Sequence, residues 1–211
     1  MDATTWLASN DYRLFKADKL AVIDTAQGNS ITYDGMIAAH GTYANIPPEF
    51  KQGIDATTFV NPEDYRLFRG DRLVSIDTTK GNAVAFNDQI AAHGTYANIP
   101  DEFKRGIDAT SWLSASDYRL FKGDKLVVID TTRNNSITYN GYIAGHGTYA
   151  NIPDELKRGI DATTFVSGED YRLFKGDRLV VVDTREGNSV VYDGRIADHD
   201  TYKNLPSPWT S

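Results

Sequence analysis

The chain has 211 residues, no cysteine and a formal net charge of −7. The lack of cysteine excludes disulfides, thiol catalysis and thiolate metal sites, and the acidic balance opposes an electrostatic grip on nucleic acid. No apolar run is long enough to cross a membrane, and the first repeat follows Met1 at once with no signal peptide, so a cytoplasmic protein is expected; a secreted form stripped of its leader would read the same.

The chain is one unit of 53 residues written four times. Asp2-Ala3-Thr4 returns as Asp55-Ala56-Thr57, Asp108-Ala109-Thr110 and Asp161-Ala162-Thr163. Asp-Tyr-Arg-Leu-Phe begins at Asp11, Asp64, Asp117 and Asp170, and the four histidines are His40, His93, His146 and His199. No insertion or deletion breaks the spacing. Such a period marks a repeat architecture, in which each unit buries its apolar faces against its neighbours. One domain over 1–211 is expected, with units at about 2–54, 55–107, 108–160 and 161–211.

The third unit shows the elements in order. Ala109 to Leu113 is a short β-prone run, followed by turn residues Ser114 to Ser116. Asp117 to Lys122 reads as a second strand, and Gly123-Asp124 as a two-residue hairpin turn. Lys125 to Asp130 is a third strand rich in β-branched residues, and Ser136 to Tyr139 a fourth, alternating one. Asn151 to Gly159 reads as one helical turn, with proline and acids near its start, bases near its end and glycine to stop it.

Four short antiparallel strands per unit, four times over, predict an all-β fold: a four-bladed β-propeller with short helical turns between blades. Both faces of a blade are then covered, which accounts for the unbroken apolar run Leu179 to Val182. Trp209 stands where other units have Phe50, Phe103 and Leu156, and is expected to anchor the free C-terminus, with closure resting on packing of the fourth blade against the first. Units one and three share Trp6-Leu7 and Trp112-Leu113, while units two and four share Phe59-Val60 and Phe165-Val166. Opposite blades therefore match more closely than adjacent ones.

These motifs resemble the hemopexin-like repeat. Ile54-Asp55-Ala56-Thr57 is similar to the Asp-Ala motif that opens each blade in that family. Tyr171 to Asp177 matches its aromatic strand and Lys-Gly-Asp turn, and Ile90, Ile99-Pro100 and Ile107-Asp108 match its blade ending. The resemblance spans the whole chain and implies a four-bladed propeller around a narrow axial channel. It also implies an axial cation, calcium or sodium, sometimes with chloride below. By position, the backbone carbonyls of Asp2, Asp55, Asp108 and Asp161 would hold it, with Ala3, Ala56, Ala109 and Ala162 beneath; a ring of oxygen dipoles suits a hard cation. Here the second alanine of the motif is threonine, the disulfide usual between first and last blades is missing, and the histidine segment is unfamiliar in the family. Such domains bind heme, metal ions, polyamines or protein partners.

That segment supplies the candidate ligand-binding residues: His40, Thr42, Tyr43 and Asn45; His93, Thr95, Tyr96 and Asn98; His146, Thr148, Tyr149 and Asn151. On a surface loop these would give directional hydrogen bonds beside an aromatic plate, a kit suited to glycans or another small polar ligand. The other reading is that His and Asn satisfy backbone groups where the chain crosses between blades. In the fourth unit glycine becomes Asp200 and alanine becomes Lys203, so its copy is altered. Arg13, Arg66, Arg119 and Arg172 lie within strands and need acids; Asp24, Asp77, Asp130 or Asp183 are expected to supply them. Phosphate loops, nucleophile elbows and metalloprotease helices are missing, so no enzyme is expected. The leading reading is a multivalent carbohydrate-binding protein. The alternatives are a binder of one small cation such as a polyamine, or a metal ion, in the central channel, and a structural or protein-interaction module, with self-association left open.

Overall fold

The computed structural model describes residues 1–209. Its sixteen strands form four antiparallel sheets, each in simple meander order. The first holds β1 (Ala3–Ala8), β2 (Asp11–Lys16), β3 (Lys19–Asp24) and β4 (Ser30–Met36), and the second β5 (Ala56–Asn61), β6 (Asp64–Arg69), β7 (Arg72–Asp77) and β8 (Ala83–Gln89). The third holds β9 (Ala109–Ser114), β10 (Asp117–Lys122), β11 (Lys125–Asp130) and β12 (Ser136–Tyr142), and the fourth β13 (Ala162–Ser167), β14 (Asp170–Lys175), β15 (Arg178–Asp183) and β16 (Ser189–Arg195). The first strands lie innermost. β1 touches β5 and β13, and β9 touches the same two, so the four sheets close into a ring as propeller blades.

Each blade is fastened at the axis by the aspartate that opens it. Lys16 pairs with Lys19, leaving Ala17 and Asp18 as the tip of the β2–β3 hairpin. Asp2 Oδ2 accepts from the Ala17 amide at 2.6 Å, and Asp55, Asp108 and Asp161 accept in the same way from Gly70, Gly123 and Gly176. The tip residue has positive φ in every blade, 51° at Ala17 and 52° at Gly70. Only the first blade places a side chain there, at a cost of about 1 kcal/mol. Ala17→Gly is therefore expected to raise stability by about 1 kcal/mol, read as an increased urea midpoint; an unchanged or lower midpoint would contradict this.

The outer strand runs three residues further than the alternating pattern suggests, to Tyr142. Gly141 hides the extension, because glycine is a poor strand signal. The reason for glycine is a ring: a Cβ on Gly141 would meet Tyr139 Oη at 2.9 Å. That hydroxyl donates to the carbonyl of Tyr142 at 2.7 Å, clipping the strand end. Tyr33 with Gly35 and Tyr192 with Gly194 repeat the arrangement. The second blade has Phe86 and Asp88 instead, so ring and glycine change together.

Four apolar clusters fill the seams between blades. In the first seam Phe15, Leu20, Ile37 and Tyr43 pack against Tyr65, Leu67 and Ile76. Short turns deliver one further side chain to each seam. A 3-10 turn at Pro48–Gln52 buries Phe50, while α1 (Asp101–Lys104) buries Phe103 and α2 (Asp154–Lys157) buries Leu156. Trp209 fills the place in the fourth seam, 1% exposed and packed with Met1, Tyr12 and Leu14 of the first blade. Its indole Nε1 donates to Asp34 at 3.2 Å, and Lys16 Nζ donates to the neighbouring Pro208 carbonyl at 2.7 Å. The anchoring role expected for Trp209 is thus what its contacts show.

Candidate functional site

The polar parts of the repeat converge on the seams. Arg13 on β2 is buried and faces Asp11, two residues earlier on the same strand face. Its Nε and Nη2 donate to the two carboxylate oxygens, both at 2.6 Å, in a fork-to-fork pair. Nη1 donates to Tyr43 Oη at 2.9 Å, and that hydroxyl shares a 2.8 Å hydrogen bond with Tyr65 of the next blade. The guanidinium also stacks 5.5 Å and 5.6 Å from the two ring centroids. Arg66 with Tyr96 and Tyr118, Arg119 with Tyr149 and Tyr171, and Arg172 with Tyr202 and Tyr12 repeat the network. The expected partners Asp24, Asp77, Asp130 and Asp183 are therefore not the arginines' partners. They sit at the ends of β3, β7, β11 and β15 and cap the next turn, accepting from the amides of Gln27, Thr79, Thr132 and Arg185.

The histidine segment crosses over each seam. His40 ends one 3-10 turn, Ile37–Ala39, and caps the next, Gly41–Tyr43, its Nδ1 accepting from the Thr42 amide at 3.3 Å. The turn points Thr42 and Tyr43 inward, and both are buried, as are Thr95, Tyr96, Thr148 and Tyr149. No aromatic plate from these tyrosines faces solvent. The histidines stay half-buried, and Asn45, Asn98 and Asn151 are exposed. Asn45 and Asn151 donate across their seams to the carbonyls of Asn82 and Asn188, at 3.4 Å and 3.3 Å. Backbone satisfaction thus accounts for part of the motif, while His and Asn keep a surface.

An aromatic side chain does lie at that surface, from the outer strand. Tyr33 packs edge-on against the His40 ring with centroids 4.9 Å apart, and Phe86, Tyr139 and Tyr192 do the same for the other histidines. These rings lie in the strand, seven residues before the histidine, where the spacing of the loop motif gives no sign of them. Burial, then the nearby Arg66 charge, lowers the His93 pKa to about 4, and His40, His146 and His199 are lowered for the same reasons. All four are neutral at pH 7. With Nδ1 accepting, Nε2 carries the proton and can donate.

In the fourth blade this surface deepens into a cleft of about 480 Å³ lined by Asp170, Val191, Tyr192, Asp198, His199 and Asp200. Asp198 and Asp200 replace Ala39 and Gly41 of the first blade, and Asp200 is paired with Lys203 at 2.9 Å. The second concavity is axial. It is a polar well of about 20 Å³, room for one water-sized guest, lined by Thr5, Thr58, Ser111 and Thr164 among others. It lies along the strands from Asp2 and Ala3 and their repeats, whose alanines are buried and whose carboxylates hold the hairpins. Among the described residues no group of three acidic, histidine or cysteine side chains is placed to hold a metal. An axial cation would depend on backbone and hydroxyl oxygens, a donor set suited to a hard ion.

No family model and no curated protein sequence matches the chain. Solved structures do. It is similar to a hemopexin fold protein, CP4, from cow pea, at 21% identity and a TM-score of 0.78 over 94% of each chain. A plant albumin from Cicer arietinum showing hemagglutination aligns over 99% of each chain, at 18% identity and a TM-score of 0.79. A plant lectin with two metal binding sites, also from Cicer arietinum, aligns over 97% of this chain and 98% of its own, at 20% identity and a TM-score of 0.74. At these identities the likeness is one of fold.

Proposed function

On the hemopexin-like four-bladed propeller that this chain forms, we propose a non-enzymatic, lectin-like binding protein whose ligands are carbohydrates. The carrying observation is the fourfold recurrence, at the seams, of a histidine donor beside an outer-strand ring and an exposed asparagine. An aromatic ring beside directional polar groups suits a sugar, which offers an apolar C–H face as well as hydroxyls. Weak sites repeated on a rigid ring gain avidity on a multivalent surface. The hemagglutinating and lectin neighbours lend this reading support. A calcium or sodium ion in the oxygen-lined axis is part of the proposal, with a structural role. One small axial guest per chain is the second reading; the size of the well favours an ion over an extended polyamine.

A glycan-array screen in calcium and then in EDTA, followed by titration of any hit, tests the reading. Saturable binding at three or four sites per chain is expected, with one site lost in His93→Ala/Asn98→Ala. Tyr96 is left intact because it belongs to the core. A blank array would sink the carbohydrate reading, and a single site untouched by the double variant would favour the axis.

A further inference from the structure

The histidines sit where a proton would do the most damage to the ring. Each caps the turn that carries a seam tyrosine, and that tyrosine holds both the arginine of its own blade and the tyrosine of the next. The groups facing His40 are Arg13 and Asp11 from β2, Tyr33 from β4, and Tyr43 from its own turn. Asp11 is committed to Arg13 through both oxygens, so it offsets a second positive charge poorly. His93 faces Arg66, Asp64, Phe86 and Tyr96, and His146 faces Arg119, Asp117, Tyr139 and Tyr149. The fourth seam differs. His199 faces Arg172, Asp170, Tyr192 and Tyr202, and also Asp200, with Asp198 lining the same cleft.

We propose that the histidines form an acid-operated latch on the propeller, in which protonation at His40, His93 and His146 releases the turn caps and opens the first three seams before the fourth. A protonated Nδ1 cannot accept from the Thr42 amide, so two donors then face each other. The new cation also lies near a fixed guanidinium. At the fourth seam Asp200 partly answers that charge even though one of its oxygens pairs with Lys203, which gives the junction between blades far apart in sequence a partial protection the other three lack. This device is independent of the carbohydrate reading.

The sign follows from linkage. An unfolded histidine titrates near pH 6.5, whereas folded His93 titrates at about 4. Between those values the unfolded chain binds more protons, so stability falls as pH falls through the window and levels off below it. His93 raises the unfolding constant by up to about tenfold per pH unit as pH falls there, and His40 and His146, lowered for the same reasons, add in the same direction. Urea unfolding of the full chain at pH 7.5, 6.0, 5.0 and 4.5, followed by tryptophan fluorescence, should show this steepening. The triple variant His40→Asn/His93→Asn/His146→Asn keeps a capping acceptor without the titration. It should lose at least about three quarters of the dependence, since the remaining His199 is the one Asp200 partly offsets. A flat wild type, or a triple variant with the full slope, overturns the latch. NMR titration of the wild-type histidines serves if the triple variant does not fold. The His40, His93 and His146 resonances should titrate below the free value, that of His93 at about 4, and Asp200→Gly should move the fourth further down toward them. Titration near 6.5 at all four, or no movement in the variant, overturns it equally.

Discussion

Replacing Arg66 with methionine should destabilise the propeller by about 3 kcal/mol, an effect far above that of a surface ion pair. Its side chain is 6% exposed, and it binds Asp64, Tyr96 and the face of Tyr118 at once. Methionine fills much of the space but leaves the carboxylate and the Tyr96 hydroxyl at the seam without their donor. Arg66→Lys should recover little of the loss, since one ammonium cannot reproduce a fork that serves two partners. Tyr96→Phe removes only a hydroxyl and should cost about 1 kcal/mol. The urea midpoints of the three variants, in that order of severity, are the check. A loss below about 1 kcal/mol for methionine would reduce the network to surface electrostatics.

Trp209→Ala should cost about 3–5 kcal/mol, as for other large buried aromatics cut back to alanine. The indole is 1% exposed, bonds Asp34 and packs against Met1, Tyr12 and Leu14, so the loss falls on the contact between the last blade and the first. Thermal unfolding followed by circular dichroism is the direct measurement. A midpoint close to wild type would mean that the Tyr12–Tyr202 pair and its surrounding side chains close the ring unaided.

Much of this architecture was legible in the residues because local chemistry dictates it. Gly123-Asp124 fixes a hairpin tip, Lys125 to Asp130 is a strand covered on both faces, and Pro153 followed by acids starts the turn that buries Leu156. The arginine partners are legible in principle. Asp-x-Arg within one strand puts both side chains on one face, a nearer match than an acid on the adjacent strand. The paired tyrosines were not legible, since the contact crosses a seam and depends on how one blade is rotated against the next. The contacts of the histidine segment are hidden for the same reason. Its spacing does not say that a 3-10 turn would carry Tyr43 inward and leave Tyr33, from another element, beside the ring of His40.

The four seams are built from the same parts, yet they differ in the length of chain between those parts. The tyrosine pairs of three seams join residues 22 apart, whereas Tyr12 and Tyr202 are 190 apart. Loop-closure entropy penalises the long connection, and contacts of high sequence separation slow folding. The expected order of assembly has three seams forming as each blade meets its successor and the ring shutting last. During synthesis the outward face of the first blade, with Tyr12, Leu14 and Ile23, waits uncovered until the fourth blade has left the ribosome. That face is where a chaperone would be most useful, and where two half-made chains would first stick to each other.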